Sequence, residues 1–196
     1  MVPNTSTEKN VLKTELIVVL DMDTREEAMR AVAACDTCDW FKIGAQLFTR
    51  LGPAIVREVQ QQNKKVFLDL KYHDIPNTVA HAATGAADLG ADLFTLHASG
   101  GHAMIEAARN AVEGTKTRIL AVTILTSLNE KALRTELGVA ETPEQAVCRL
   151  AKLAINAGAH GIVCSPLELD ILRHTLGPDP LIVTPGVRPV WAAKDD

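Results

Sequence analysis

At 196 residues, 47% hydrophobic and 22% charged, the chain has apolar material for one sizeable core, which excludes a disordered protein and predicts a single domain over 1–196. A net charge of -4 and a sequence pI near 5.9 exclude the basic field that nucleic-acid binding requires, so a small-molecule partner is expected. The opening MVPNTSTEKN is polar and no run of about 18 apolar residues follows, so neither leader nor membrane span is predicted and the expected location is the cytoplasm.

The first apolar run, LIVVLD at 16–21, ends on Asp21. TREEAMRAVAAC at 24–35 then predicts a helix capped by Thr24, with Glu26 and Glu27 in its first turn. Cys35 and Cys38 form a C-x-x-C at its end, but no second pair or H-x-x-x-H completes a zinc site, so they read as helix-end packing. With Cys148 and Cys164 they show no disulfide spacing and are expected reduced. WFKIG at 40–44 carries Lys42, and KVFLDLK at 65–71 carries Asp69 and Lys71, with Asp74 in the turn that follows. DLFTLHA at 92–98 carries His97, which has His102 nearby but no third ligand to complete a metal site.

RILAVTIL at 118–125 includes Thr123 and leads into Thr126 and Ser127. The second well-marked helix, TPEQAVCRLAKLAINAG, runs from a Thr142 cap, with Pro143 in its first turn, to Gly158. HGIVCS at 160–165 ends on Ser165, and PLIVTPG at 180–186 contains Thr184 and Pro185. These seven runs are continuously apolar rather than alternating, the pattern of parallel strands covered on both faces.

Alternating strands and helices leave two architectures, a doubly wound open sheet or a closed eight-stranded barrel. No G-x-G-x-x-G or G-x-x-x-x-G-K-[ST] follows the first strand, which removes the usual nucleotide fingerprint of the open sheet. Polar residues instead cluster at the C-terminal ends of many strands, where barrel enzymes carry their chemistry. Ordinary strand-end polarity explains Ser165 and Thr184 equally well.

DLKYHDIPNT at 69–78 is the most informative stretch. Asp69 and Lys71 share one face of a strand, terminate the interior run KVFL, and need partners there. Lys42 on the preceding strand is a natural neighbour, giving an expected alternating chain of Lys42, Asp69, Lys71 and Asp74. A salt-bridge network that merely closes the barrel stays open as the structural alternative. Flanking carboxylates hold Lys71 as an ammonium, a better acid than nucleophile, suited to protonating a nascent carbanion. Asp69 would meanwhile repel a substrate carboxylate by about 4 kcal/mol at 4 Å and an effective dielectric of 20.

Taken in order, LDMDTREEA, FKIGAQLF, FLDLKYHDIPNTV, LHASGG, VTILTS and TPGVR closely resemble the bacterial orotidine 5'-monophosphate decarboxylase family over nearly the whole chain. The resemblance implies a TIM (β/α)8-type barrel and cofactor-free, metal-free conversion of orotidine 5'-monophosphate to uridine 5'-monophosphate in pyrimidine synthesis. By the same resemblance Lys71 protonates C6 and Asp69 faces the departing carboxylate, while Lys42 and Asp21 bind ribose hydroxyls. Asp74 and Thr78 would reach the partner's site in a homodimer, with Ile75 between them in the same substrate-binding segment. Thr126 and Ser127 would contact nucleotide and base, Pro185 would line the pocket, and Arg188 would help hold phosphate.

Family members continue beyond the segment matching VWAAKDD into a glutamine-bearing loop and an eighth strand with a G-R-[ST]-I-like phosphate site. No later Gly-Arg follows here, so the eighth βα unit is expected to be missing, with two sheet edges exposed and turnover weakened. Two rival readings stand beside this one. The first is a magnesium-dependent sugar-phosphate decarboxylase or synthase sharing D-x-K-x-x-D, against which IPNT and LTS count. The second is a non-catalytic nucleotide-binding form.

Overall fold

Runs rich in Val, Ile and Leu become strands here, and the stretches between them become helices. The computed structural model describes residues 14–187. Its order begins β1 (Ile17–Val19), α1 (Arg25–Ala34), β2 (Trp40–Gly44), α2 (Ala45–Leu51), α3 (Pro53–Gln61), β3 (Lys65–Tyr72), α4 (Pro76–Asp88) and β4 (Leu93–His97). There follow α5 (His102–Ala111), β5 (Arg118–Val122), α6 (Glu130–Thr135), α7 (Pro143–Asn156), β6 (Gly161–Val163), α8 (Leu169–Leu176) and β7 (Leu181–Val183). Each of the seven expected strands forms within or close to its apolar run.

The helix ends follow their cap chemistry. Thr24 Oγ1 accepts from the Glu27 N–H, and the Glu27 carboxylate accepts from the Thr24 N–H, a reciprocal pair worth about 1 kcal/mol. Thr142 and Gln145 repeat it at the start of α7, with Pro143 in the first turn. Beyond α7 the chain turns through Gly158 at φ +93°, where a side chain would be strained. Cys35 caps the end of α1, and both it and Cys38 pack partly buried against the core, as helix-end packing requires.

All seven strands are parallel and paired in chain order from β1 to β7. Side chains alternate across such a sheet. Phe41, Ile43, Leu68, Phe94 and Ile119 point outward and are buried in one apolar cluster with helix residues such as Leu47, Val79 and Ile105. Truncating Phe41 or Phe94 to Ala would cost about 3–5 kcal/mol.

The opposite parity supplies a second cluster. Phe67, Leu93 and Leu120 are buried there with Ile17, Trp40, Val163, Leu181 and Val183 packed against them. These residues come from all seven strands, including both ends of the series, so the sheet must curl until β1 and β7 share an interior. This is the barrel architecture expected from the sequence, with seven strands among the described residues.

Candidate active site

The inward parity that gives the barrel its apolar floor gives its C-terminal rim the charged residues. Asp21 lies two residues past β1, Lys42 in β2, Asp69 and Lys71 in β3, and Thr95 and His97 in β4. Parallel register fixes their neighbours: Val19 faces Lys42, and Gly44 faces Asp69. The Leu20 N–H donates to the Lys42 carbonyl at 2.9 Å, extending the ladder past β1 and bringing Asp21 beside the lysine.

Asp69 is the centre of the site, 8% exposed. Its Oδ2 lies 2.9 Å from Lys71 Nζ and 3.5 Å from Lys42 Nζ, and Lys42 Nζ continues to Asp21 Oδ1 at 3.3 Å. Asp69 Oδ1 accepts from the Thr95 hydroxyl at 2.9 Å. Two carboxylates and two ammoniums thus alternate with no net charge, the condition under which a buried carboxylate is tolerable. The Lys71 side chain is 37% exposed against 10% for Asp69, so its ammonium reaches the open rim while its partner stays inside.

The alternating chain runs Asp21, Lys42, Asp69, Lys71, and this corrects the expected order ending on Asp74. Asp74 is exposed, and its Oδ1 accepts from the adjacent Ile75 N–H at 2.6 Å. Among the described residues no cation lies within ion-pair distance of it. The physical reason is the turn: leaving β3, the chain carries Asp74 into the exposed segment before α4, while Asp21, just past β1, extends the chain at its other end, beside Lys42.

Lys71 itself has a left-handed backbone, φ +50°, which costs a residue with a Cβ about 1–2 kcal/mol. The cause is an irregularity in the ladder to β4: Leu68 faces Phe94 and Tyr72 faces Leu96, so four residues of β3 advance against two of β4. Such a bulge re-aims a side chain. The Lys71 N–H donates at 2.9 Å to the hydroxyl of Thr95. Gly44 is a second constraint, since a Cβ there would lie 3.1 Å from Lys42 Nζ and 3.2 Å from Asp21 Oδ1.

His97 is half-buried at the same rim, its ring 5.4 Å from that of His73. Burial lowers its pKa, and His73 and Lys71 lower it further against the opposing pull of Asp69, so it favours the neutral form. Ile75 and Thr78 are exposed at the start of α4. Thr126 and Ser127 occupy the exposed turn after β5, closed by the Leu128 N–H donating to Leu125 O at 2.9 Å. Pro185 is exposed just past β7, and Arg188 lies outside the described residues. Thr123 donates to Val163 O, and Ser165 Oγ accepts from the Leu167 N–H, so both serve local structure. His102 sits at the start of α5, 3.9 Å from Glu106.

Sequence reasoning missed Thr95, Gly44 and His73. Thr95 reads as an ordinary strand former inside LFTLH, and only its parity with His97 marks it as inward-facing. Chemically, the arrangement offers an ammonium at an open rim, paired with a carboxylate that also meets Lys42 and the Thr95 hydroxyl. That pair can deliver a proton and press on a bound anion.

Residues 14–196 match the model of the orotidine 5'-phosphate decarboxylase / HUMPS family. The orotidine 5'-phosphate decarboxylase of Heliobacterium modesticaldum is 46% identical over 192 residues, covering 94% of this chain and 79% of the relative. That of Geobacter sulfurreducens is 48% identical over 187 residues, covering 91% and 78%. The crystal structure of the Lactobacillus acidophilus orotidine 5'-phosphate decarboxylase superposes with a TM-score of 0.84 at 39% identity, over 90% of this chain and 83% of that one.

Proposed function

Since the chain belongs to the orotidine 5'-phosphate decarboxylase / HUMPS family, we propose that it converts orotidine 5'-monophosphate to uridine 5'-monophosphate and carbon dioxide in pyrimidine biosynthesis. The observation that carries the reading is the buried Asp69 carboxylate fixed 2.9 Å from the Lys71 ammonium at the barrel rim. Asp69 crowds the substrate carboxylate, and loss of carbon dioxide relieves that repulsion. The C6 carbon keeps the bonding pair, and Lys71 supplies the proton that completes the C6–H bond. Lys42 and Asp21 hold the ribose hydroxyls, and Lys42 shares Asp69 with Lys71. All of these roles are filled by side chains, and no cofactor enters the reading.

Thr126, Ser127 and Pro185 surround base and nucleotide from the loops after β5 and β7, and Arg188 contributes to the phosphate. Asp74, Ile75 and Thr78, exposed at one end of α4, are available to complete the site of a second copy in a homodimer, and a cytoplasmic setting suits the pathway. The test is the loss of orotidine 5'-monophosphate absorbance with the purified chain, with Lys71→Ala and excess chelator alongside. Chelator-resistant turnover abolished by Lys71→Ala is expected. Turnover that survives the substitution refutes the role of Lys71, and turnover lost to chelation moves the chain to the magnesium-dependent sugar-phosphate branch.

A further inference from the structure

Thr95 takes the inward position of β4 between Leu93 and His97, and it is wholly buried. A threonine hydroxyl has one proton to give and lone pairs with which to accept. Both capacities are engaged here: Oγ1 donates to Asp69 Oδ1 at 2.9 Å and accepts from the Lys71 N–H at 2.9 Å. The direction of each bond is forced, because a backbone N–H only donates and an ionised carboxylate only accepts.

The irregularity in β3 makes the second bond necessary. Where the register to β4 breaks, the Lys71 N–H is carried off the ladder, and a buried N–H left unpaired is costly. Thr95 satisfies it from the neighbouring strand and so ties down the left-handed backbone of Lys71. With Oδ1 drawn back to Thr95, Oδ2 becomes the oxygen that faces both Lys71 and Lys42.

We propose that Thr95 is a positioning residue for the decarboxylation, its single hydroxyl fixing the orientation of the Asp69 carboxylate and the backbone of Lys71 together before substrate arrives. The inference rests on the functional reading above. It assigns Thr95 no contact with substrate. Its effect passes through the two residues it holds, and preorganised groups of this kind act on the transition state more than on binding.

The test compares Thr95→Val, which keeps the shape and removes the hydroxyl, with Thr95→Ser, which keeps the hydroxyl. In the full chain kcat for orotidine 5'-monophosphate should fall about 10- to 100-fold in Thr95→Val, with KM within about threefold, and most of the loss should return in Thr95→Ser. Hydrogen exchange of the Lys71 amide, read without substrate, should speed up at least about tenfold in Thr95→Val and recover in Thr95→Ser. A folded Thr95→Val chain with either quantity unchanged overturns the proposal, and so does a Thr95→Ser chain as impaired as Thr95→Val. If circular dichroism shows that Thr95→Val does not fold, Thr95→Ala removes the same hydroxyl and carries the same expectations and overturning results. Absence of turnover in the unsubstituted chain would count against the decarboxylase reading, while the exchange measurement would still decide the role of Thr95.

Discussion

Replacing Asp69 by Asn removes one charge and keeps the size of the side chain, including an oxygen for the Thr95 hydroxyl. In the native chain Oδ2 stands 2.9 Å from one ammonium and 3.5 Å from the other. At an effective dielectric of 20 these contacts are worth about 6 and about 5 kcal/mol before desolvation. Burying the carboxylate returns several kcal/mol of that gain. Once the charge is gone, the two ammoniums sit at most about 6.4 Å apart and repel by about 2.6 kcal/mol or more, with Asp21 left beside Lys42 alone. Lys71 relieves part of this by swinging into solvent, so the net loss should be about 3 kcal/mol. For a chain of this size that lowers the melting temperature by about 6–12 °C, read by circular dichroism, and turnover should drop at least about 100-fold. A melting temperature equal to or above that of the unsubstituted chain would refute the claim that Asp69 binds the two ammoniums together.

Gly44→Ala places a methyl 3.1 Å from Lys42 Nζ and 3.2 Å from Asp21 Oδ1, so both must retreat. Turnover should fall about 3- to 10-fold with the melting temperature nearly unchanged, a split that steady-state kinetics and a melt would reveal. Burial lowers the pKa of His160 below its ordinary 6.5, with Arg109 and Arg118 adding to the effect, and its Nδ1 accepts from the Ile119 N–H at 3.0 Å. The unfolded chain therefore binds a proton that the folded chain resists. The stability this provides is present above about pH 6.5 and is lost as pH falls toward the depressed value, so His160→Asn should flatten the melting temperature between pH 7 and about 5. His97, lowered by burial first, His73 second and Lys71 third, contributes with the same sign and should keep part of the slope in that variant. Cys164 is buried and its thiol is pushed up to about 12, chiefly by burial, so it should resist alkylation in the native chain while Cys35, Cys38 and Cys148 react; mass spectrometry after labelling at pH 8 decides this.

Much of the fold was legible because parallel strands covered on both faces leave continuous apolar runs, and because Thr24 and Thr142 announce their helices through cap chemistry. Strand ends were less legible. The run at 118–125 yields a strand only to Val122, and Thr123 follows it with both its N–H and its hydroxyl donating to Val163 O. Asp21, Lys42, Asp69 and Lys71 stood out as charges ending apolar runs, and the structure brings them together. The place of Asp74 was not legible, because spacing along a strand says nothing about where a turn takes the next carboxylate. The left-handed Lys71 was hidden too: lysine has no preference for that conformation, and only the mismatch between β3 and β4 requires it. Thr95 could have been found by counting parity back from His97, although nothing in its residue type separates a hydroxyl that organises charge from one that merely suits a strand.

The alternation along β3 has a consequence for how this protein can change over generations. Val66, Leu68 and Leu70 pack toward the helices, while Phe67, Asp69 and Lys71 point into the barrel. Packing against the helices and lining of the barrel are thus assigned to even and odd positions of the same eight residues. A saturation library of this strand, sorted once for abundance and once for activity, should lose abundance at Val66, Leu68 and Leu70 and also at the buried Phe67 and Asp69, while activity lost beyond abundance should mark Asp69 and Lys71.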